Sequence, residues 1–315
     1  MKIKSSNPAV SVVVPVLNRR DLVLRSLESI RRQTYRPIEL IVVDNGSTDA
    51  TKETVEHWKK KAEEDDFKIK ILSEDRKGAC FARNKGLEEA TGEYLMFFDS
   101  DDEMRPSLIK DAIESFNSDD TPDIVCWKCS LHLLDGKTRL PAFTIGNETE
   151  GHFIHSMMKT VGYMARRDLF LVAGGWKSLK GWDDWELGIR LLLLSPRIKA
   201  IDKVLVDVYS QAESITGENF SSKEGIWEEA LEMAKQNVSN SSHPLKEKMM
   251  KMLDYREIIL AADYHKEGNR EAARRQLAKA LKNGKGLRRN AALLFSYHYT
   301  RKGGRGAWRI IRKIY

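Results

Sequence analysis

Tyr94-Leu95-Met96-Phe97-Phe98-Asp99-Ser100-Asp101-Asp102 is the stretch that decides how this chain folds. Its five apolar residues predict a strand covered on both faces, and the three carboxylates behind them must emerge together at the rim of a sheet. Open α/β sheets bind their ligands at that rim. Acids this close repel one another unless water screens them or a hard divalent cation sits between them, and oxygen ligands suit Mg2+ or Mn2+. The run therefore reads as a site for a metal-bound phosphate. The competing reading is an acidic turn in which Asp101 or Asp102 caps a helix beginning near Pro106.

The residues before this run tip the balance toward a ligand site. Val10 to Val16 predicts a first buried strand, stopped by Pro15 and followed by a turn at Leu17-Asn18-Arg19. A helix follows with Leu24, Leu27, Ile30 and Val23 on one face. Ile38 to Asp44 predicts a second strand ending in a carboxylate, and Asn45-Gly46-Ser47-Thr48-Asp49 a turn and helix start. A third strand, Lys68 to Leu72, precedes Lys77-Gly78-Ala79 and another helix. Strand alternating with helix is the grammar of a parallel sheet, so Asn18, Arg19, Asp44 and the Asp99 cluster are expected along one edge.

Four blocks, SVVVPVLNR from Ser11, IELIVVDNGSTD from Ile38, GACFARNKGLEEATGEYLMFFDSDD from Gly78 and GWDDWELGIRL from Gly181, together resemble glycosyltransferase family 2. The resemblance covers residues 8–215. It implies the glycosyltransferase A fold: a single Rossmann-like mixed, mostly parallel sheet flanked by helices, here followed by a C-terminal α-helical appendage. It also implies an inverting, metal-dependent transferase that moves a sugar from a nucleoside diphosphate sugar to a hydroxyl of a glycan or glycolipid in cell-surface polysaccharide synthesis. Family frequency favours a uridine nucleotide.

By the same resemblance, Pro15, Leu17, Asn18 and Arg19 lie against the base and ribose. Asp44 accepts hydrogen bonds from them, or else caps the turn from Ser47 to Thr51. Gly78 and Arg83 support the nucleotide and sugar, with Arg83 free to pair with Asp99 or phosphate. Asp99, Asp101 and Asp102 resemble the DxD metal motif; Asp99-Ser100-Asp101 fits the pattern literally, while some relatives ligate through the last aspartate. A divalent ion stabilises the leaving diphosphate as a Lewis acid, and one carboxylate suffices to take the acceptor proton. Aligning Asp184 with the second acid of the family's pair makes it the base, Asp183 the runner-up, and turns Glu186 toward the helix interior or solvent. Gly175, Trp176, Trp182 and Trp185 form the acceptor side, where an indole face suits either a pyranose or the core. Many relatives complete the metal shell with a histidine after the strand Val204 to Tyr209; here Gln211 or Glu213 would offer oxygen instead, or water would fill the place.

With 315 residues, 41% hydrophobic and 31% charged, the chain is long enough for a large core plus an appendage. The division expected is a catalytic domain over residues 1–220 and a basic helical region over 221–315, joined near Gly217 to Lys223. No apolar run reaches the length of a membrane span, and the start reads as strand and not as signal peptide. Cys126 and Cys129 have a CxxC spacing, but in a strand they point to opposite faces, so reduced thiols in a cytoplasm are expected.

Charge is unevenly placed. Residues 246–315 hold 19 Lys and Arg against 6 Asp and Glu, and after Glu271 there is no acid at all. Ala273, Leu277, Ala280, Leu281, Leu287, Ala291, Leu294, Phe295, Ala307, Trp308, Ile311 and Ile314 keep helical spacing through this region. Basic amphipathic helices ending in Trp308 and Tyr315 suit an anionic membrane surface, which would make the protein peripheral on the inner face of the membrane. Residues 270–315 are the expected contact. The Leu260 to Leu281 segment resembles one tetratricopeptide-type helix hairpin. A competing class, an inactive module that binds nucleotide, lipid or nucleic acid through the tail, lacks a recognisable nucleic-acid motif, so no nucleic-acid partner is expected.

Overall fold

The computed structural model describes residues 8–211, 220–282, 286–304 and 306–313. Strands β1 (Val10–Val16), β2 (Ile38–Asp44) and β3 (Phe67–Ser73) alternate with helices α1 (Val23–Arg31), α2 (Thr51–Ala62) and α3 (Ala79–Glu89) before β4 (Tyr94–Phe97). The second half contains β5 (Glu103–Met104), α4 (Leu108–Phe116), β6 (Ile124–His132), β7 (Thr138–Arg139) and α5 (Glu148–His155). It continues through β8 (Tyr163–Arg166), α6 (Arg167–Val172), α7 (Asp183–Leu193) and β9 (Ile198–Tyr209).

These nine strands form one sheet in the order β3-β2-β1-β4-β8-β6-β9-β5, with β7 on β6. The first four strands pair in parallel. Beyond β4 the sheet turns mixed: β8 runs antiparallel to both β4 and β6, while β6 and β9 are parallel. The expected architecture is thus present, with parallel pairing confined to the nucleating βαβ units and the β6–β9 pair. The first strand pair matches its expected bounds, and both strands are buried almost throughout, as their apolar runs require.

Alternate residues of each strand feed two cores. Val10, Val12 and Val14 pack with Leu27, Val55 and Ile109 on one face, and Val13, Ile41 and Phe97 with α3, α5 and α7 on the other. Helix α3 approaches β1 so closely at Gly86 that a Cβ there would lie 2.3 Å from Val13 Cγ1. Leu24, expected on the buried face of α1, is 40% exposed; that face is Val23, Leu27 and Ile30 with Ser26 and Ser29. Cys126 and Cys129 contribute to opposite cores, as strand alternation requires, and burial pushes both thiols up.

A short 3-10 turn at Phe220–Lys223 leads into α8 (Ile226–Asn240), α9 (Lys246–Lys266), α10 (Arg270–Lys282), α11 (Leu287–Arg301) and α12 (Ala307–Ile311). Helices α9 and α10 form the expected hairpin, with Tyr264, Ala272, Ala273 and Ala280 buried. The region does not stand apart in packing: Trp227, Leu231, Met252 and Trp308 belong to the same core as Val13 and Phe97.

Two expectations for the tail are corrected. Trp308 is not a surface anchor; its ring is buried against Tyr255, because α12 folds back onto α9. In α11 the buried face is Ala292, Leu293, Ser296, Tyr297 and Thr300, whereas Leu287, Ala291, Leu294 and Phe295 face outward. Ile314, Tyr315, Glu213 and the expected linker at Gly217 lie outside the described residues.

Candidate active site

The ends of β1 and β2 build one wall of the rim. Asn18 takes a left-handed backbone, φ 51°, and its side-chain oxygen accepts from Thr48 N at 2.8 Å while its own N–H donates to Ser47 Oγ at 3.0 Å. Arg19 N donates to Thr51 Oγ1 at 2.8 Å. The Leu17-Asn18-Arg19 turn is therefore laced to the loop after Asp44, and Leu17 remains exposed beside the half-buried Pro15. Asp44 is buried, and both of its carboxylate oxygens accept from Ser47 N at 3.3 Å. In this structure Asp44 does what the capping alternative said: it holds its own turn.

Gly78 opens α3 with φ 134°, a conformation that a side chain would resist. Its N–H donates to Asn45 Oδ1 at 2.8 Å, and Asn45 Nδ2 donates to Glu74 O and Arg76 O at 2.9 and 2.7 Å. Asn45 was not singled out from the sequence as a site residue, yet it fixes the position of Gly78. Its signal was its place directly after the carboxylate that ends a strand.

The acidic run fans out. Asp99 Oδ1 accepts from Arg83 Nη2 at 3.0 Å, Asp101 faces Arg19 at 4.0 Å, and Asp102 Oδ1 accepts from Tyr209 N at 3.0 Å. Helix α1 braces the turn from behind, with Ser26 Oγ donating to Asp99 O at 2.8 Å and Arg25 donating to Asp101 O. Among the described residues no group of three or more His, Cys, Asp or Glu is arranged to hold a metal. Each acid of the run thus has a partner of its own. What they retain is unbalanced charge. Burial and then the Asp99 carboxylate push Asp101 upward, and burial with Asp99 and Asp101 pushes Asp102 up to about 8. Gln211 is half-buried beyond Tyr209.

Arg83 ties this rim to the opposite wall. Its guanidinium is buried, lies over the Trp176 ring at 4.3 Å, and donates from Nη1 to Asp183 Oδ2 at 3.0 Å. Burial opposes its charge, but Asp99 and Asp183 more than offset this and raise its pKa. Asp184 follows at the start of α7, its Oδ1 accepting from Trp185 N at 2.7 Å. Burial, then the adjacent Asp183 charge, pushes Asp184 up to about 6. Glu186 faces neither solvent nor an empty interior; it is buried in an ion pair with Arg190 at 2.8 Å and accepts from Asn237 Nδ2 at 2.9 Å.

Of the acceptor-side residues, Trp185 takes the core alternative, Trp176 is buried with it, and Gly175 faces inward. Trp176 and Trp185 are 3% and 0% exposed, which leaves neither ring a face for a sugar. Gly175 makes its close approach to Asn84 and not to an open cleft, since a Cβ would lie 2.5 Å from Asn84 Oδ1. Trp182 is half-buried, with Trp185, Trp227 and Phe220 around it at ring-centroid distances of 5.5, 5.3 and 6.2 Å. Sequence reasoning missed Arg256, which comes from α9 and stacks over Trp182 at 4.3 Å. Nothing in the local sequence of α9 marks it.

Residues 11–153 match the family described as Glycosyl transferase family 2. Among curated proteins, the chain is 32% identical over 154 residues to the putative glycosyltransferase EpsH of Bacillus subtilis, covering 48% of this chain and 43% of that protein. It is 33% identical over 110 residues to the GalNAc(5)-diNAcBac-PP-undecaprenol beta-1,3-glucosyltransferase of Campylobacter jejuni, covering 35% of each. The matched stretch thus spans less than half the length of these relatives. Among solved structures, S. aureus TarS 1-349 in complex with UDP-GlcNAc superposes with a TM-score of 0.67 at 18% identity, over 94% of this chain and 92% of that one. The mannosyltransferase PcManGT from Pyrobaculum calidifontis, in complex with GDP-Man and Mn2+, gives 0.60 at 19%, over 98% and 84%. At these identities the superpositions show a shared fold, the glycosyltransferase A type with a helical region after it.

Proposed function

We propose that this chain, whose residues 11–153 belong to glycosyltransferase family 2, transfers a sugar from a nucleoside diphosphate sugar to a hydroxyl of a glycan or lipid-linked acceptor, with inversion, in cell-surface polysaccharide synthesis. The observation that carries the reading is the Arg83 bridge, which brings Asp99 of the acidic rim and Asp183 of the α7 turn to either side of one guanidinium. That is the neighbourhood a donor site and a proton acceptor need.

Pro15, Leu17, Asn18 and Arg19 take the base and ribose, and Gly78 and Arg83 the phosphate and sugar. When a nucleotide is present, Asp44 turns its outer lone pairs to the base while keeping Ser47. The donors at the rim fit a hard cation, since Asp101 and Asp102 are carboxylates raised by burial and mutual repulsion. Asp101, with Asp99 or Asp102, would hold Mn2+ or Mg2+, and substrate phosphates and water would complete a shell the protein leaves partial. Such an ion supplies Lewis-acid stabilisation of the leaving diphosphate. Asp184 accepts the acceptor proton, and Asp183 is committed to Arg83. A uridine donor is favoured by family frequency; of the structures of like fold, TarS is solved with UDP-GlcNAc and PcManGT with GDP-Man.

The outer face of α11 gives the proposed membrane contact a new location. Leu287, Leu294, Phe295 and Tyr299 are exposed on it, Phe295 and Tyr299 stacked at 5.7 Å, and no acid follows Glu271. An anionic bilayer surface matches that pattern and would bring a lipid-linked acceptor to a protein peripheral on the cytoplasmic side. Among the described residues no helix is long and apolar enough to cross a membrane.

Calorimetry with UDP, UDP-GlcNAc and GDP, each with and without Mn2+, tests the reading. Metal-dependent nucleotide binding that weakens in Asp101→Asn and Asp102→Asn is expected; nucleic-acid affinity with no nucleotide response would favour the inactive module.

A further inference from the structure

The turn that presents the candidate base is strained, and nothing local explains it. Trp182, a bulky residue, sits at φ 53° and ψ 28° immediately before α7, in the left-handed region that Cβ-bearing side chains avoid. No side chain caps the helix at this point.

The groups that hold Trp182 come from the helical region. Trp227 of α8 lies 5.3 Å away between ring centroids, and Gly181 meets it so closely that a Cβ would stand 2.6 Å from Trp227 Cζ3. Asn237, also of α8, donates to Glu186 in the first turn of α7. From α9, the Arg256 guanidinium lies 4.3 Å from the Trp182 ring and 5.3 Å from the Trp185 ring. It donates from Nη1 to Ile154 O and from Nη2 to Ser156 Oγ, both at 3.0 Å, while its buried Nε finds no hydrogen-bond partner among the described residues. A buried guanidinium with one N–H unsatisfied is a costly group to keep in a core. The carboxylates of Asp263 and Asp184 favour its charge, and the two indole faces add cation–π contacts, which strengthen when water is excluded.

We infer that the helical region is part of the active site, with Arg256 as a positioning residue that, together with Trp227, holds Trp182 in the left-handed conformation from which Asp183 and Asp184 face Arg83 and the acceptor. This rests on Asp184 being the base. The contact of Arg256 with this turn is the Trp182 ring, with Asp184 near enough to favour the guanidinium charge.

Amide hydrogen exchange on the full chain tests this without any knowledge of the acceptor. Arg256→Met is expected to raise exchange across residues 182–186 by about tenfold while β4 exchanges as before. Affinity for UDP with Mn2+ should hold, release of UDP from UDP-GlcNAc or UDP-glucose should fall on the order of 10²-fold, and Arg256→Lys, which keeps a cation over the indole, should partly restore both. Unchanged exchange at this turn, or an equal rise in β4 and α3 with loss of UDP affinity, would overturn the inference. Asp184→Asn, measured alongside, separates the two readings. If it retains turnover, the base assignment fails whatever Arg256 does; if it is inactive while Arg256→Met keeps both native exchange and native turnover, only the positioning role fails.

Discussion

Arg83 donates one hydrogen bond to Asp99 and another to Asp183, both at 3.0 Å, across 100 residues of sequence in the second case. One buried cation thus fixes the distance between the acidic rim and the α7 turn. Removing it leaves two carboxylates facing each other without their counter-charge, and breaking such a pair costs about 3–5 kcal/mol. Arg83→Met should lower the urea midpoint accordingly, and Arg83→Lys should recover little, because an ammonium point charge cannot fork to both acids. Equilibrium unfolding of the three proteins decides this; a Met variant of native stability would mean the bridge holds nothing.

A pH profile follows from Asp184. A base works only when deprotonated, and burial with the Asp183 charge has pushed this carboxyl up to about 6. Sugar transfer, read as kcat/KM, should therefore fall as pH drops through about 6 and not near the ordinary carboxyl value of roughly 4. Asp183→Asn removes the neighbouring negative charge and should move this limb to lower pH. A limb that stays in place in that variant would assign it to another group.

Asp184→Asn itself should keep UDP binding and lose about 10²- to 10⁴-fold in turnover. Turnover near that of the parent protein would exclude Asp184 as the base.

The tail separates burial from surface contact. Trp308→Ala removes a core ring and should cost about 3–5 kcal/mol of stability, whereas Phe295→Glu with Tyr299→Glu touches only the exposed face of α11 and should leave stability within about 0.5 kcal/mol. Co-sedimentation with vesicles containing phosphatidylglycerol should drop sharply in the double variant. Vesicle binding that survives it would place the contact elsewhere.

Gly188 offers a test in which two effects oppose each other. Alanine is favoured over glycine within a helix by about 1 kcal/mol. Here, however, a Cβ would lie 2.2 Å from His152 Nε2, a ring held in the core by hydrogen bonds with Trp185 O at 2.9 Å and Met158 N at 3.1 Å. Overpacking of this kind costs about 1–3 kcal/mol and uproots the ring as well. Gly188→Ala is therefore expected to destabilise, and a raised melting temperature would show that α5 yields.

What was legible in the sequence was local. Apolar runs set β1, β2 and β4, and the carboxylates that close the last two put Asp44 and Asp99 at the rim, because residues covered on both faces must give way to polar ones where the sheet ends. The resemblance in residues 8–215 then named Asp183 and Asp184, which no periodicity would have picked out. Where side chains point was another matter. The three acids of the run each meet a different partner, Arg83, Arg19 and Tyr209, and of the tryptophans that bracket Asp183 and Asp184, Trp185 is buried in the core while Trp182 is half-buried.

Helical spacing in the tail identified helices but not their inward faces. An amphipathic stripe such as Leu287, Leu294 and Phe295 looks the same in sequence whether it meets a core or a membrane. Only packing decides, and α12 folding over Tyr255 gave the interior to Trp308 and the surface to Phe295. Backbone hydrogen bonding and apolar patterning act between near neighbours, so the chain carries them openly. Charge pairing and ring stacking between Arg83 and Asp183, or Arg256 and Trp182, join segments distant in sequence, and such contacts exist only once the tertiary fold has brought them together.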